Sequence, residues 1–248
     1  TGRPGPVLVD VTKSAQVEEA DFVWPPVLDL PGYRPVTKPN ARQIREAARL
    51  IATSSRPVLY AGGGAMRAGV SRDLVELVDL SNAPIVTTLT ARGVVPDSHP
   101  NNLGMPGMHG TVPAVAALQK SDLIVALGAR FDDRVTGKVS DFAPNAKVIH
   151  IDIDPAEISK NRLVDVPIVG DLKDATSDLV AELREAHRQY GVPDLEEWWK
   201  TLAGLRERYP AGWEEVDDGL LEPQHVISRL AKTVGSDNTI YVTGVGQH

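Results

Sequence analysis

The sequence predicts an α/β fold: a doubly wound parallel sheet covered by helices on both faces, with partial flanking domains. Three observations predict it. Short continuous apolar runs recur near 57–61, 84–88, 122–127, 147–153 and 166–169. Strands that read as unbroken apolar runs belong to sheets buried on both sides. Helix-period segments separate most of these runs, and four of the run ends carry glycines or charged residues.

Taken in order, residues 6–11 (Pro-Val-Leu-Val-Asp-Val) and the last ten residues each read as a short apolar strand without neighbours. A lone strand cannot satisfy its backbone groups, so the chain is expected to be an internal piece of a longer one. Residues 22–39 read as a linker, because Pro25, Pro26, Pro31, Pro35 and Pro39 disfavour helix and central strand. Residues 41–52 form a helix with Ile44, Ala47, Ala48 and Ile51 on one face. The run Val58-Leu59-Tyr60-Ala61 leads into Gly62-Gly63-Gly64, and a helix over 71–80 turns Leu74, Leu77 and Val78 inward.

A strand at 84–88 follows, then a Gly/Pro/Asn-rich stretch over 91–110 without a period. A helix over 112–120 tolerates proline in its first turn. Strands at 122–127, 147–153 and 166–169 come next, with a helix from after Asp171 to about 187. The doubly wound domain is therefore expected over 41–188. Residues 194–221 read as a connector, helical where Leu195, Trp198, Trp199, Leu202 and Leu205 recur. Residues 223–234 read as one more amphipathic helix.

Composition narrows the function. The chain has 248 residues, 26 Lys+Arg against 33 Asp+Glu and no cysteine. Thiol catalysis, disulfides and thiolate metal sites are excluded. A reducing, cytoplasmic setting is the expectation. A net charge of −7 argues against a nucleic-acid partner, and no apolar run reaches the ~18 residues of a membrane span. No H-E-x-x-H, G-x-S-x-G or Walker loop occurs.

In open α/β sheets, ligands bind beyond the carboxyl ends of the strands. Gly62-Gly63-Gly64 either lets a phosphate or flavin approach the backbone or makes a tight strand–helix turn. Arg130-Phe131-Asp132-Asp133-Arg134 sets two guanidinium forks, which suit a diphosphate, around two aspartates that can orient them; the alternative is a self-neutralising surface cluster. Asp152 is favoured as a ribose or adenine ligand and Asp154, before Pro155, as a helix cap. Asp171 either caps the next helix or touches a nucleotide. Met105 and Met108 look exposed in a loop of small residues over 104–111 and can line a flat ligand.

Several strings resemble the catalytic subunits of acetolactate synthases, within the thiamine-diphosphate enzymes: residues 3–10 (Arg-Pro-Gly-Pro-Val-Leu-Val-Asp), 103–111, 128–137 (Gly-Ala-Arg-Phe-Asp-Asp-Arg-Val-Thr-Gly), 150–158 and 244–248 (Gly-Val-Gly-Gln-His). The resemblance covers essentially the whole chain. It implies three α/β domains, the middle one Rossmann-like and FAD-binding. By it, residues 1–21 are the tail of a pyrimidine-binding domain and 22–40 a linker. Residues 41–188 are then the FAD-binding domain, 189–222 a second linker and 223–248 the start of a diphosphate-binding domain.

It also implies decarboxylative condensation of two pyruvates, or of pyruvate with 2-ketobutyrate, in branched-chain amino-acid synthesis. FAD would serve without net redox change, with thiamine diphosphate and Mg²⁺ in the full-length protein. Partners would be 2-keto acids, a second copy or higher oligomer, and a regulatory small subunit.

The resemblance places Arg3, Gly62, Gly63, Gly64, Thr88, Leu89, Met108, Gly110, Thr111, Gly128, Arg130, Asp132, Arg134, Val135, Asp152, Ile153 and Asp171 near FAD. It places Lys13, Met108, His109, Asp133 and Arg134 along the substrate channel. Val245, Gly246, Gln247 and His248 match the start of the thiamine-diphosphate site. No catalytic residue is expected within these 248 residues, and the chain by itself is expected to be inactive. The alternatives are another thiamine-diphosphate carboligase, such as a glyoxylate carboligase, and a stand-alone nucleotide-binding domain.

Overall fold

Five strands form one sheet in the computed structural model: β1 (Pro57–Ala61), β2 (Ile85–Thr87), β3 (Leu123–Leu127), β4 (Lys147–Asp152) and β5 (Val166–Val169). All pairings are parallel, in the order β2-β1-β3-β4-β5. The structure describes residues 2–24, 32–212, 220–235, 239–242 and 244. Every residue of β1, β2 and β3 is buried, which is why these strands read as unbroken apolar runs. Pro167 sits in β5 at one edge of the sheet, where a missing N–H costs no ladder bond on the outer side. The other edge is closed by residues 101–104, whose backbone bonds to Ile85 and Thr87.

Helices cover both faces. On one lie α2 (Ala41–Thr53), α4 (Ser71–Ser81) and α7 (Leu172–Tyr190), packed on Leu59, Val125, Ile149 and Ile168. The sequence signals for these helices hold: Ile44, Ala47, Ala48 and Ile51 are buried on α2, and Leu74, Leu77 and Val78 on α4. On the other face lie α5 (Val112–Lys120) and α8 (Glu196–Arg208), packed with Tyr60, Ile124, Phe131 and Val148. The Thr111 hydroxyl accepts from the Ala114 N–H and caps α5, with Pro113 in its first turn. Within the expected connector, Trp198 of α8 is core: its Nε1 donates to the Pro57 carbonyl at 3.1 Å, and Trp199 Nε1 donates to Asn82 O at 2.9 Å.

Among the described residues, five short elements lack the period that would reveal them: α1 (Lys13–Val17), α3 (Gly63–Ala68), α6 (Asp133–Thr136) and 3₁₀ turns at Leu89–Ala91 and Val139–Asp141. After β1, Gly62 precedes α3 and Gly63 and Gly64 open its first turn.

The ends depart from the strand reading. Residues 6–11 form no strand, and Val7, Leu8 and Val9 are exposed. Residues 239–242 form none either, with Ile240 and Val242 exposed. Apolar β-branched residues favour an extended backbone, but a ladder needs a neighbour with open donors and acceptors. Residues 25–31 of the proline-rich stretch, with Pro25, Pro26 and Pro31, and residues 243 and 245–248 lie outside the described residues.

The chain divides into two compact units, residues 1–207 and 208–248. The second contains α9 (Pro223–Val234), with Val226, Ile227, Leu230 and Val234 about half exposed. No helix among the described residues is long and apolar enough to cross a membrane.

Candidate functional site

The strand order reverses between β1 and β3: the chain runs from β1 to β2 on one side, then returns to place β3 on the other. Ligands of open α/β sheets bind in the crevice above such a switch point. The residues above β1 are Gly62–Gly64, and those above β3 are Gly128–Arg130. Their backbones touch. Gly62 N donates to Leu127 O at 2.9 Å and Gly64 N to Gly128 O at 3.1 Å. A Cβ on Gly64 would stand 2.8 Å from Gly128 Cα, and Gly128 has a φ of +60°. Close packing of the two turns accounts for Gly62, Gly64 and Gly128, while Gly63 faces Thr90.

From Gly128 the chain enters the Arg130–Arg134 turn, and Phe131 determines its shape. Phe131 has a φ of +51° and is buried. Its ring lies tilted against Tyr60 at 5.7 Å and edge-on to Phe142 at 6.2 Å. With Phe131 turned inward, Arg130 and Asp132 remain outside. Asn161 Nδ2 donates to the carbonyls of Arg130 and Phe131 at 3.2 and 3.1 Å.

Asp132 then takes two roles. Its Oδ1 accepts from Arg134 N at 3.0 Å, capping α6, and its Oδ2 accepts from Arg130 Nη2 at 2.6 Å. The Arg134 N–H, foremost among several donors and cations, holds the Asp132 carboxyl below the usual range. Asp132 does orient the Arg130 fork. Arg134 and Asp133 are exposed beside it, and Val135 is half-buried against the Phe131 cluster. Burial pushes the Tyr60 phenol up, with the Asp132 charge adding to it.

The 104–111 loop leans on the same turn. Met108 N donates to Arg134 O at 3.3 Å, and Thr111 N to Met105 O at 2.9 Å. A Cβ on Gly110 would meet Met105 O at 2.2 Å, so only glycine fits this closed loop. Met108 and His109 are exposed, whereas Met105 is half-buried, which corrects its exposed reading. Between this loop, α5 and α6 lies a pocket of about 190 Å³, lined by Pro106, Val115, Leu118, Val135 and Phe142 among others.

β4 ends at Asp152 because that side chain turns the backbone: its Oδ1 accepts from Asp154 N at 2.9 Å. Ile153, expected within the strand, therefore lies beyond it. Asp154 caps a turn, not a helix; its Oδ1 accepts from Ala156 N at 3.0 Å. Burial raises the Asp152 carboxyl. Asp171 caps α7 by accepting from Lys173 N at 2.9 Å, while its own N–H donates to Thr37 O at 2.6 Å. Thr88 and Leu89 stand past the end of β2, the former joined through its N–H to Ala61 O at 2.9 Å.

Arg3 reaches this edge from the start of the chain. Its Nη1 lies 3.1 Å from Asp154 Oδ2 and 2.6 Å from Glu157 Oε1. Lys160 adds a second cation to Glu157 at 3.1 Å. Burial pushes Glu157 up, but the hydrogen bonds from Arg3 and Lys160 outweigh it and leave its carboxyl below the usual range.

The structure thus gathers Arg3, Gly62–Gly64, Thr88, Gly128, Arg130, Asp132, Asp152 and Asp171 at one edge of the sheet, with the 104–111 loop against Arg134. Among the described residues no hydrogen bond or ion pair joins Lys13 to this group. Val245, Gly246, Gln247 and His248 lie outside the described residues. Sequence reading missed His150, Glu157 and Asn161. Asn161 and the pairing of Glu157 with Arg3 carry no local signal, since these contacts span about 30 and 154 positions. No group of His, Asp or Glu among the described residues could hold a metal ion.

A family model described as thiamine pyrophosphate enzyme, central domain, matches residues 44–179. Among curated relatives, an acetolactate synthase of Mycobacterium bovis is 56% identical over the whole chain, which covers 40% of that protein. An acetolactate synthase large subunit of Corynebacterium glutamicum is 54% identical, with 39% of it covered. A probable acetolactate synthase large subunit of Methanocaldococcus jannaschii is 43% identical, with 42% covered. The chain spans about two fifths of the length of these relatives.

Proposed function

We propose a function for this chain from one premise: it belongs to the thiamine pyrophosphate enzyme family, whose central domain it contains. The chain is the middle part of an acetolactate synthase large subunit, and its central domain holds FAD above the β1/β3 switch point. The similarity along the whole chain supports the first statement. The Arg130–Phe131–Asp132 turn carries the second. Phe131 is sunk in the core so that Arg130, its fork steadied by Asp132, stays exposed where a diphosphate would lie. Arginine forks bind such oxygens bidentately.

The residues present fit FAD. Arg130 and Arg134 offer charge to the diphosphate, Asp152 offers a carboxylate to ribose hydroxyls, and the close-packed glycines keep the crevice floor free of side chains. Met108 and His109 stand beside Arg134 as walls of the substrate channel, with Asp133 and Lys13 as its further members. FAD has a structural role. Thiamine diphosphate, with Mg²⁺, supplies the carbanion chemistry of the whole enzyme, and the residues of this chain bind, orient and exclude water.

The whole protein joins two 2-keto acids to 2-acetolactate or 2-aceto-2-hydroxybutyrate in the cytoplasm. It works as a homodimer or larger assembly, with a small regulatory subunit as a further partner. The 248 residues contain no Gly-Asp-Gly motif for Mg²⁺, so by themselves they make no acetolactate.

Titration of the full chain with FAD tests the reading. Saturable binding is expected, and Arg130→Ala should weaken it ten- to a hundredfold, as loss of a charge-assisted pair of about 1.5–3 kcal/mol implies. Absence of FAD binding, or unchanged affinity in the variant, would overturn the assignment. Added NADH should leave the flavin absorbance unbleached.

A further inference from the structure

Val86, Tyr60, Ala126, His150 and Pro167 form one row across the sheet, each in register with the next. His150 is fully buried within it, and neither Nδ1 nor Nε2 has a hydrogen-bond partner among the described residues. Its sheet neighbours, Ala126 and Pro167, have no polar side-chain atom. Phe131 meets the imidazole edge-on, with centroids 5.3 Å apart and planes at 87°. The Ala129 carbonyl is a second acceptor near the ring, outside good hydrogen-bond geometry.

The nearest carboxylate is Asp152, two residues on and on the same face of β4: its Oδ2 is 3.9 Å from His150 Nε2. A neutral imidazole always carries one N–H, and a buried donor without an acceptor is unfavourable. An aliphatic residue would fill this place without that cost. Burial also holds His150 below its ordinary value, so the ring is neutral near pH 7.

We infer that His150 is a positioning residue of the nucleotide site: its Nε2–H holds the Asp152 carboxylate toward the ribose of a bound adenine dinucleotide. The inference rests on the FAD reading above and names a residue that reading does not use. Asp152 Oδ1 is already tied to Asp154 N, so Oδ2 is the atom left to steer. The gap closes to hydrogen-bond length by a shift of about 1 Å. A hydrogen bond from the neutral ring fixes Oδ2 while its remaining lone pairs stay open to a ribose hydroxyl. The charge on Asp152 stays uncompensated, and that favours a hydroxyl donor over a second anion. Glu157, near both groups, and Asp154, near the carboxylate, are the other titratable groups that act on them.

FAD and FMN distinguish this role from a packing role, because FMN lacks the adenosine that Asp152 would hold. Both are titrated into the full wild-type chain and into His150→Phe, His150→Gln, Asp152→Ala and the double variant His150→Phe/Asp152→Ala. The expected result is a loss of about tenfold in FAD affinity for His150→Phe, with FMN affinity within about twofold. His150→Gln, which keeps a donor, should recover part of the loss. The double variant should bind FAD no more weakly than Asp152→Ala alone, the signature of two groups acting through one contact. Equal losses for FAD and FMN, or additive losses in the double variant, overturn the inference while leaving the FAD site intact. A wild-type chain that binds no FAD overturns the site itself.

Discussion

On one face of the sheet, α2, α4 and α7 meet Leu59, Val125, Ile149 and Ile168 through aliphatic side chains. On the other, α5 and α8 meet a layer containing Tyr60, Phe131, Phe142 and Trp198, with His150 in the same row as Tyr60. Both faces are closed to water, yet they are built for different ends. The aliphatic face asks only for volume and period. The aromatic face must also hold a phenol, an imidazole and a residue with positive φ. Its Phe131 ties the core directly to the exposed Arg130 and the partly buried Asp132. The contrast teaches where the core and the proposed FAD site are coupled: changes on the first face should act on folding alone, and changes on the second on folding and FAD binding alike.

The largest expected effect is that of Phe131→Ala. It should cost about 3–5 kcal/mol in a denaturant titration, as aromatic core truncations do, and it should abolish measurable FAD binding, because the turn loses its anchor. Leu77→Ala on the aliphatic face should cost about 2–5 kcal/mol. In the protein that remains folded, FAD affinity should be unchanged. A Leu77→Ala variant with weakened FAD binding would break the division between the faces.

Asp132 separates two contributions within one residue. Asp132→Asn keeps a good cap on α6, so thermal stability should move by less than about 0.5 kcal/mol, whereas Asp132→Ala should lose about 1 kcal/mol. Both should weaken FAD binding several-fold, because neither leaves a carboxylate to steady Arg130. Intact binding in Asp132→Asn would show that the cap alone matters.

The smallest effect is pH dependence. Burial holds His150 and His187 below the ordinary histidine value. The unfolded chain therefore takes up these protons first, near pH 6.5. The stability from keeping them neutral is full above about pH 6.5 and is lost as pH falls through their lower folded values. Melting temperature should drop on going from pH 7 to 5, and His150→Phe should flatten part of the drop. Asp152, raised by burial, acts in the opposite sense and does not account for the loss.

Local signals carried much of this molecule. Thr111 and Pro113 mark the start of α5, and the residue span 112–120 agrees with the helix found. The unbroken apolar runs at β1 and β3 announce strands buried on two sides, and the residues after them were legible as one shared edge because parallel strands share one carboxyl end. Caps and periods are written within a few positions, so one sequence suffices to read them.

What only the tertiary structure decided lies in contacts between distant positions. The order β2-β1-β3-β4-β5, and with it the switch point, comes from which strands pair. No local residue pattern states that choice. Gly64 and Gly128 look like two separate turns until their backbones meet. Arg3 finds Glu157 across 154 positions. Residues 6–11 and 239–242 have the composition of strands and are not strands, because a strand is made by its neighbour's hydrogen bonds as much as by its own side chains. His150 reads as one more residue of an apolar strand. Its surroundings appear only once Ala126, Pro167 and Phe131 have enclosed it and Asp152 Oδ2 stands 3.9 Å from its ring.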